Sequence, residues 1–566
     1  MAELILGPML RHVTATSATI WLETDESCII EILGHRTRTF SVAGHHYALV
    51  VIDGLTAGTS TEYDVRLDGM ARWPVANSTF PPSRIRTMHA DMTPRIMFGS
   101  CRTASPHEAP WSLEFALDTE GRGVDAVYAY ALRMMQSDEC EWPDLAVFIG
   151  DQIYADDSSP KTKERIEAKR DGAPTSTLPA ELVDGFEEYC WLYEESWSPP
   201  VERWFFSVVP TAMIFDDHDM IDDWNISEAW VHDIQREDWW KRHVLEGLMT
   251  YWLYQHLGNL GPNEIRDEGI LEALTAATDG EGLLHDWASS TEEFTGRKGR
   301  YRFSFVRDIG NVRLVVVDAR NSRTLTPGSR RIIDEREWQW VVESCHADVD
   351  HLLIGSSLPV FTPGGIHDLQ VWSEGMTDGA WGKLPARFGE WMRRKADLED
   401  WPAFVRSFDD LVDLLAELAS ADRAAPLRSI AVLSGDIHFT YASEIHFPIE
   451  DTTGTRVFQL VNSPIRNALR PHERMLMRFF MSRVAHGLGR VLRRAVGRKR
   501  TRVRWEIDQG PVFANCIGVL DYDGDAAALL VEQATPYDAA GDPALDPTFT
   551  VDLVTGSGVQ LSHPQT

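Results

Sequence analysis

The chain has 566 residues, 43% hydrophobic and 25% charged, the balance of a folded protein long enough for more than one domain. Its formal net charge of −32 excludes a general nucleic-acid binder, which needs a basic footprint. No run of about 18 apolar residues occurs, which excludes a membrane-spanning helix, and the start lacks a basic leader, a sustained apolar core and a twin arginine. The expected location is therefore cytoplasmic. The six cysteines (Cys28, Cys101, Cys140, Cys190, Cys345 and Cys516) form no paired spacing and are expected to be thiols in a reducing compartment.

In chain order, residues 1–90 read as an all-β sandwich domain. Val13–Leu22 is rich in β-branched residues. Tyr47–Leu55 runs into a turn at Gly54–Thr59, and Tyr63–Leu67 and Ser83–Thr87 follow as further strands. The stretch from Asp53 to Tyr63 resembles the strand-turn-strand of a fibronectin-III-like module. Pro81-Pro82 and Met88–Pro94 read as a linker.

From Pro94 onward short apolar runs recur, and each stops at a polar residue. They are Arg95–Cys101, Asp144–Asp151, Thr211–Asp217, Val312–Asp318, His351–Ser357, Ser429–Asp436 and Val457–Ser463. Runs without alternation are strands buried on both faces, and the long gaps between them leave room for helices. The pattern predicts a layered α/β domain over residues 94–566, with its site beyond the carboxyl ends of the strands. One segment stands apart. From Arg470 to Arg504 there are eleven Arg and one Lys against a single acid, Glu473, with apolar residues at roughly helical spacing. The basic amphipathic segment 470–504 reads first as helix packed on this acidic protein, its arginines paired with carboxylates. Weak contact with a membrane surface or a polyanion is the alternative.

Four strand ends carry the chemistry: Gly99-Ser100-Cys101-Arg102, Gly150-Asp151-Gln152-Ile153-Tyr154, Asp216-Asp217-His218-Asp219 with Asp222–Asn225, and Gly435-Asp436-Ile437-His438. A carboxylate that ends a buried strand is costly unless it is paired or bound to a metal. One such Asp caps a helix in many proteins, but four ends of this kind in one domain point to a metal site. Thiolate and phenolate suit iron, whereas carboxylate and amide oxygens suit Ca²⁺, Mg²⁺ or Mn²⁺. The mixed donor set therefore suggests two unlike metals sharing one Asp. Paired metals favour in-line displacement at phosphorus.

The fragments GSCRT, PDLAVFIGDQIYADD, IFDDHDMIDDWN and VLSGDIHFTYASEI, in that order over about residues 94 to 520, resemble the alkaline phosphatase D (PhoD-like) family of metallophosphatases. The resemblance implies the metallophosphoesterase fold, a four-layer α/β sandwich of two mixed sheets flanked by helices, preceded by a β-domain. It implies hydrolysis of phosphate esters by attack of a metal-activated water. It implies a binuclear or trinuclear metal site, with Fe³⁺ beside Ca²⁺ and with Mn²⁺, Mg²⁺ and Zn²⁺ as alternatives. Cys101 and Tyr154 would bind iron, Asp151 would bridge to the second site, and Asp217 and Asn225 would ligate that site. Asp436 and His438 would complete the cluster. His218 would donate a proton to the leaving group or orient the phosphate. Arg102, Arg320 and Arg323 would grip phosphate oxygens, since a guanidinium fork suits them. Asn462–Asn467 also resembles a family segment, without an assigned role. The missing twin-arginine signal departs from many members. A non-catalytic, metal-stabilised protein binding a membrane or envelope polymer is the competing expectation, with a nuclease third. Monoester versus diester stays open.

Overall fold

Each of the seven apolar runs forms a strand, and their registers place the polar ends side by side. The computed structural model describes residues 1–170, 178–291, 301–420, 426–448, 454–524, 526–536 and 542–561. In one seven-stranded sheet, Thr211–Ile214, Leu145–Ile149 and Arg95–Gly99 run parallel, with Gly99 opposite Phe148 and Ile149 opposite Ile214. Cys516–Asp523 then pairs antiparallel with Arg95–Gly99 and starts the remainder of that sheet. In the second seven-stranded sheet, Val312–Val317, His351–Ser356, Ser429–Ser434 and Arg456–Val461 run parallel in matched register.

Both faces of the second sheet are covered, which explains the unbroken apolar runs. Along Val312–Val317, Leu314 and Val316 join the large core shared with the first sheet, while Val315 and Val317 join a core formed with the helix Val405–Leu418. Successive side chains thus bury on opposite sides, as the period of a strand requires. Helices flank both sheets, so the expected mixed α/β architecture is present.

The N-terminal region is all-β, in two four-stranded antiparallel sheets. Val13–Leu22 is not one strand. The chain turns at Thr14–Thr16, where the Thr14 N–H donates to the Ser17 carbonyl at 2.8 Å, and so joins strands Leu4–Val13 and Ser17–Thr24. Ile20 and Leu22 face the region's own core, whereas Trp21 between them faces the other way. There Trp21 lies 6.4 Å edge-on from Trp197 and 5.1 Å from Tyr254. Buried Arg11 donates to the Tyr254 carbonyl at 2.8 Å. The front region therefore shares a core with the body of the protein, and the aromatic stretches around Trp197, Trp224 and Trp252 are core.

The basic segment packs along the helix Gly364–Thr377 by one face and leaves the rest of its surface outward. It forms two helices, Pro471–Phe480 and Arg483–Ala495. The first buries no side chain, and the second buries only Ala485, Gly489 and Arg493. Arg493 pairs with Asp368, Arg498 with Glu374 and Asp378, and Arg502 with Asp413. Among the described residues no helix is long and apolar enough to cross a membrane.

Because Trp21 belongs to the shared core, Trp21→Ala should cost about 3–5 kcal/mol. Calorimetry should show one main transition moving to lower temperature, not separate early melting of the N-terminal region.

Candidate metal centre

The carboxyl ends of the two sheets meet, and glycine permits the meeting. A Cβ on Gly435 would lie 2.1 Å from Ser100 Oγ and 2.9 Å from the Ile149 carbonyl oxygen, so only glycine fits there. Gly150, at φ +100°, similarly brings its turn against Asp216. Backbone bonds tie the first two ends together. The Cys101 N–H donates to the Gly150 carbonyl at 3.4 Å and the Arg102 N–H to the Asp151 carbonyl at 3.0 Å. Asp219 ties the third end to the second, one of its oxygens accepting both the Asp151 N–H at 3.1 Å and the Asp216 N–H at 2.9 Å.

Two overlapping clusters result. One ligand atom each from Cys101, Asp151 and His438 lie within 4.8 Å of one another, as do one each from Asp151, Asp216, Asp217 and Asp436. Asp151 belongs to both. Five of the seven expected ligands, Cys101, Asp151, Asn225, Asp436 and His438, have positive φ between 49° and 63°. Non-glycine residues pay of order 1 kcal/mol or more for that conformation and hold it where surrounding structure imposes it. In Cys101, Asp151, Asp436 and His438 the conformation falls just after a strand ends, and in Asn225 within the loop that follows Asp217.

The donor chemistry fits metal ions. Asp151 is fully buried, yet neither of its carboxylate oxygens has a hydrogen-bond partner. Asp216 Oδ2 and Asn225 Oδ1 are buried and unpartnered too. Buried carboxylate oxygens without donors cost several kcal/mol unless a cation sits against them. Burial, reinforced by Asp151 and Asp436, holds the Cys101 thiol well above its usual range. Burial with Asp151 and Cys101 does the same to the Tyr154 phenol. A cation is what would draw thiolate and phenolate from both. Burial and the charge of His218 lower His438 to about 4, so its imidazole is neutral, the form that ligates. Burial and the neighbouring Asp216 and Asp217 carboxylates push Asp436 well up, and burial carries Asp216 to about 6.

Three arginines are not placed as expected. Arg102 is buried, its Nε on Asp125 at 2.8 Å, Nη1 on Ser196 at 3.0 Å and Nη2 on Glu202 at 3.0 Å. It braces the scaffold instead of facing a phosphate, because its guanidinium is taken up by the buried acids Asp125 and Glu202. Arg320 is fully buried behind the acids, its Nε on Asp216, Nη2 3.2 Å from Asp217 and Nη1 on Glu399. Arg323 is buried against Glu399 at 3.1 Å and the Asn225 carbonyl at 3.0 Å. Arg320 and Arg323 thus position the ligand loops.

Four residues were missed. Asp216, read as a neighbour of Asp217, stands in the cluster itself. Asp156 accepts from His218 Nδ1 at 2.9 Å. With Asp217 and Asp151 it overcomes the effect of burial and holds the imidazolium well above its usual range. Its only signal was the acidic pair following Tyr154. From the unassigned segment, Ser463 Oγ donates to Cys101 Sγ at 3.2 Å and Asn467 Nδ2 to the Tyr154 phenol at 3.0 Å. The Tyr154 and His218 rings lie 4.6 Å apart, so the imidazole and the phenol stand together beside the cluster.

Comparison with known proteins finds a family model over part of the chain and a solved structure of the same fold. The family described as PhoD-like phosphatase matches residues 118–257, and a domain of unknown function (DUF7800) matches residues 1–85. No curated protein matches the chain. The solved structure of PhoD is similar at 11% identity and a TM-score of 0.56, over 99% of this chain and 92% of that one, which shows a shared fold. A purple acid phosphatase from yellow lupin (Lupinus luteus) seeds is similar at 10% identity and a TM-score of 0.45, over 95% of this chain and 74% of that one.

Metal binding should release protons from these carboxyls, more of them near pH 6, where Asp216 titrates, than at higher pH. Affinity should therefore fall as the pH falls. Calorimetric titration with Mn²⁺ in buffers of different ionisation enthalpy measures the release, and Asp151→Asn should reduce both the affinity and the accompanying rise in thermal midpoint.

Proposed function

We propose that this chain, which carries a PhoD-like phosphatase domain at residues 118–257, hydrolyses phosphate esters at the cluster around Asp151. The observation that carries the reading is the buried Asp151 carboxylate, unpartnered at both oxygens and shared by two groups of donors. Cys101, Tyr154 and His438 supply the softer donor set, suited to iron. Asp217, Asp436 and Asn225, with Asp216, supply the harder one, suited to calcium or a similar divalent ion. When bound, such ions would polarise the phosphoryl oxygens and lower the pKa of a water molecule.

The remaining steps belong to side chains of the protein. His218 stands at the mouth with about a quarter of its side chain exposed, and Asp156 holds its Nδ1. Its Nε2 is thereby left as the donor for the departing alkoxide. Asp156 is a positioning residue. It fixes the ring and keeps the imidazolium charged, and its second oxygen accepts the Asp222 N–H at 2.6 Å, which fixes the carboxylate in turn. Arg320 offsets the repulsion among Asp216, Asp217 and Glu399 without meeting substrate. Asn467 orients the Tyr154 oxygen.

The metal-replete chain should turn over p-nitrophenyl phosphate or its bis ester, and a chelator should abolish the activity. His218→Gln should lower kcat by about a hundredfold to ten-thousandfold. Asp156→Asn should lower it by about tenfold to a hundredfold with metal content unchanged and the pH profile shifted. Absence of turnover of both esters, or an unchanged rate in Asp151→Asn, would refute the reading.

A further inference from the structure

The helices Lys383–Lys395 and Arg483–Ala495 both pack on the helix Gly364–Thr377, and both turn apolar side chains to solvent. On the first, Leu384, Phe388 and Trp391 follow helical spacing and are all exposed, Leu384 at 78%. On the second, Val484, Leu488 and Val491 do the same, Val484 at 72%. The inward stripe of that helix is Ala485, Gly489 and Arg493, a different face. The two helices are joined at one end, where the exposed Trp381, just before the first, donates its indole N–H to the carbonyl of Ala495, the last residue of the second, at 2.9 Å. Leu476 and Phe479 on the helix Pro471–Phe480 add to the exposed apolar area. An apolar surface of this extent, left uncovered, marks an interaction site.

The charge around it is opposite to that of the molecule. Residues 470–504 carry a net charge of +11 on a chain of −32. Arg483, Arg490 and Arg494 are exposed and have no ion-pair partner among the described residues. At helical spacing they form a row of their own beside the apolar stripe, distinct from the packed face. Lys383, Arg387 and Lys395 lie beside the stripe of the other helix. Cationic residues bordering an outward apolar stripe fit an interface where apolar side chains enter acyl chains and arginines meet anionic headgroups. A soluble polyanion would use the arginines but not the apolar stripes. A second copy would bring the same arginines face to face.

We infer that this surface docks the protein on an anionic phospholipid membrane. The surface also borders the metal centre. Asn467, bonded to Tyr154, is three residues before Arg470, a reach of about 11 Å at most. On the other side, Lys395 is followed by Glu399, the partner of Arg320. Arg394 ties the same helix to Asp233 at 3.0 Å, on the helix that follows Asn225. Docking would thus bring the mouth of the cluster toward the headgroup plane. Whether the cluster is hydrolytic does not enter the binding itself.

Flotation of the purified full chain tests the inference. Vesicles of equimolar phosphatidylcholine and phosphatidylserine should carry it upward, pure phosphatidylcholine vesicles should not, and added salt should weaken the binding. Arg490→Glu with Arg494→Glu, and separately Val484→Ser with Leu488→Ser, should each lower the partition coefficient by roughly tenfold or more. All four side chains are exposed, so circular dichroism and the thermal midpoint should be unchanged; Phe388→Ser on the neighbouring helix provides an independent variant. Failure of the wild-type chain to float with the anionic vesicles would overturn the inference, as would unchanged binding by the folded variants. Retention of inorganic polyphosphate without flotation would assign the surface to a polyanion instead. Sedimentation showing self-association that Val484→Ser with Leu488→Ser removes would assign it to a second copy.

Discussion

Like charge forced into one buried place is the constraint on which the rest of this structure depends. Asp151, Asp216, Asp217 and Asp436 bring oxygens within 4.8 Å of one another where two sheets meet. Two like charges about 4 Å apart repel by roughly 4 kcal/mol at a protein's effective dielectric, before desolvation is counted. The fold answers in two ways. Arg320 is buried among the acids as a permanent counter-ion, and the unpartnered oxygens of Asp151 face the position a cation would take. Neither answer works without the glycines at 150 and 435, because a side chain at either would push the strand ends apart.

The same constraint explains why arginine does not meet substrate here as expected. A guanidinium beside several buried carboxylates is held by them, and Arg102, Arg320 and Arg323 each have multiple buried partners. Their work is to set the angles of the loops. The positive charge that remains at the opening is that of His218, held protonated by Asp156, and under the proposed function it and the bound metals would meet the phosphate. A strongly anionic cluster and a cationic imidazole beside it are thus products of one electrostatic arrangement.

The distribution of arginine has a second consequence at the surface. Those near the acids are buried and paired, while those of residues 470–504 are largely exposed, beside apolar side chains that no element among the described residues covers. The helices that carry them are joined by a few residues to Asn467 on one side and to Glu399 on the other. The rim of the centre and the basic surface are therefore joined by short stretches of chain.

The local grammar of the chain made the strands and most ligands legible. An apolar run ending at Gly-Asp, Asp-Asp or Ser-Cys needs no partner to be recognised, and all seven runs after Pro94 are strands with polar ends at one edge. Such signals depend on neighbours in sequence, where burial and the costs of charge are set. What only the tertiary structure decided were the directions of side chains and their distant partners. Cys101 and Arg102 are adjacent, yet one faces the cluster and the other a buried acid pair, because the left-handed backbone at Cys101 redirects the chain where its strand has ended. Asp156 and His218 are 62 residues apart, and Ser463 and Cys101 are 362 apart. The outward turn of the basic helices rests on which of their faces found a partner. Sequence alone determined which residues could bear the chemistry; the packing of two sheets determined which of them meet, since contact between distant residues is a property of the assembled layers.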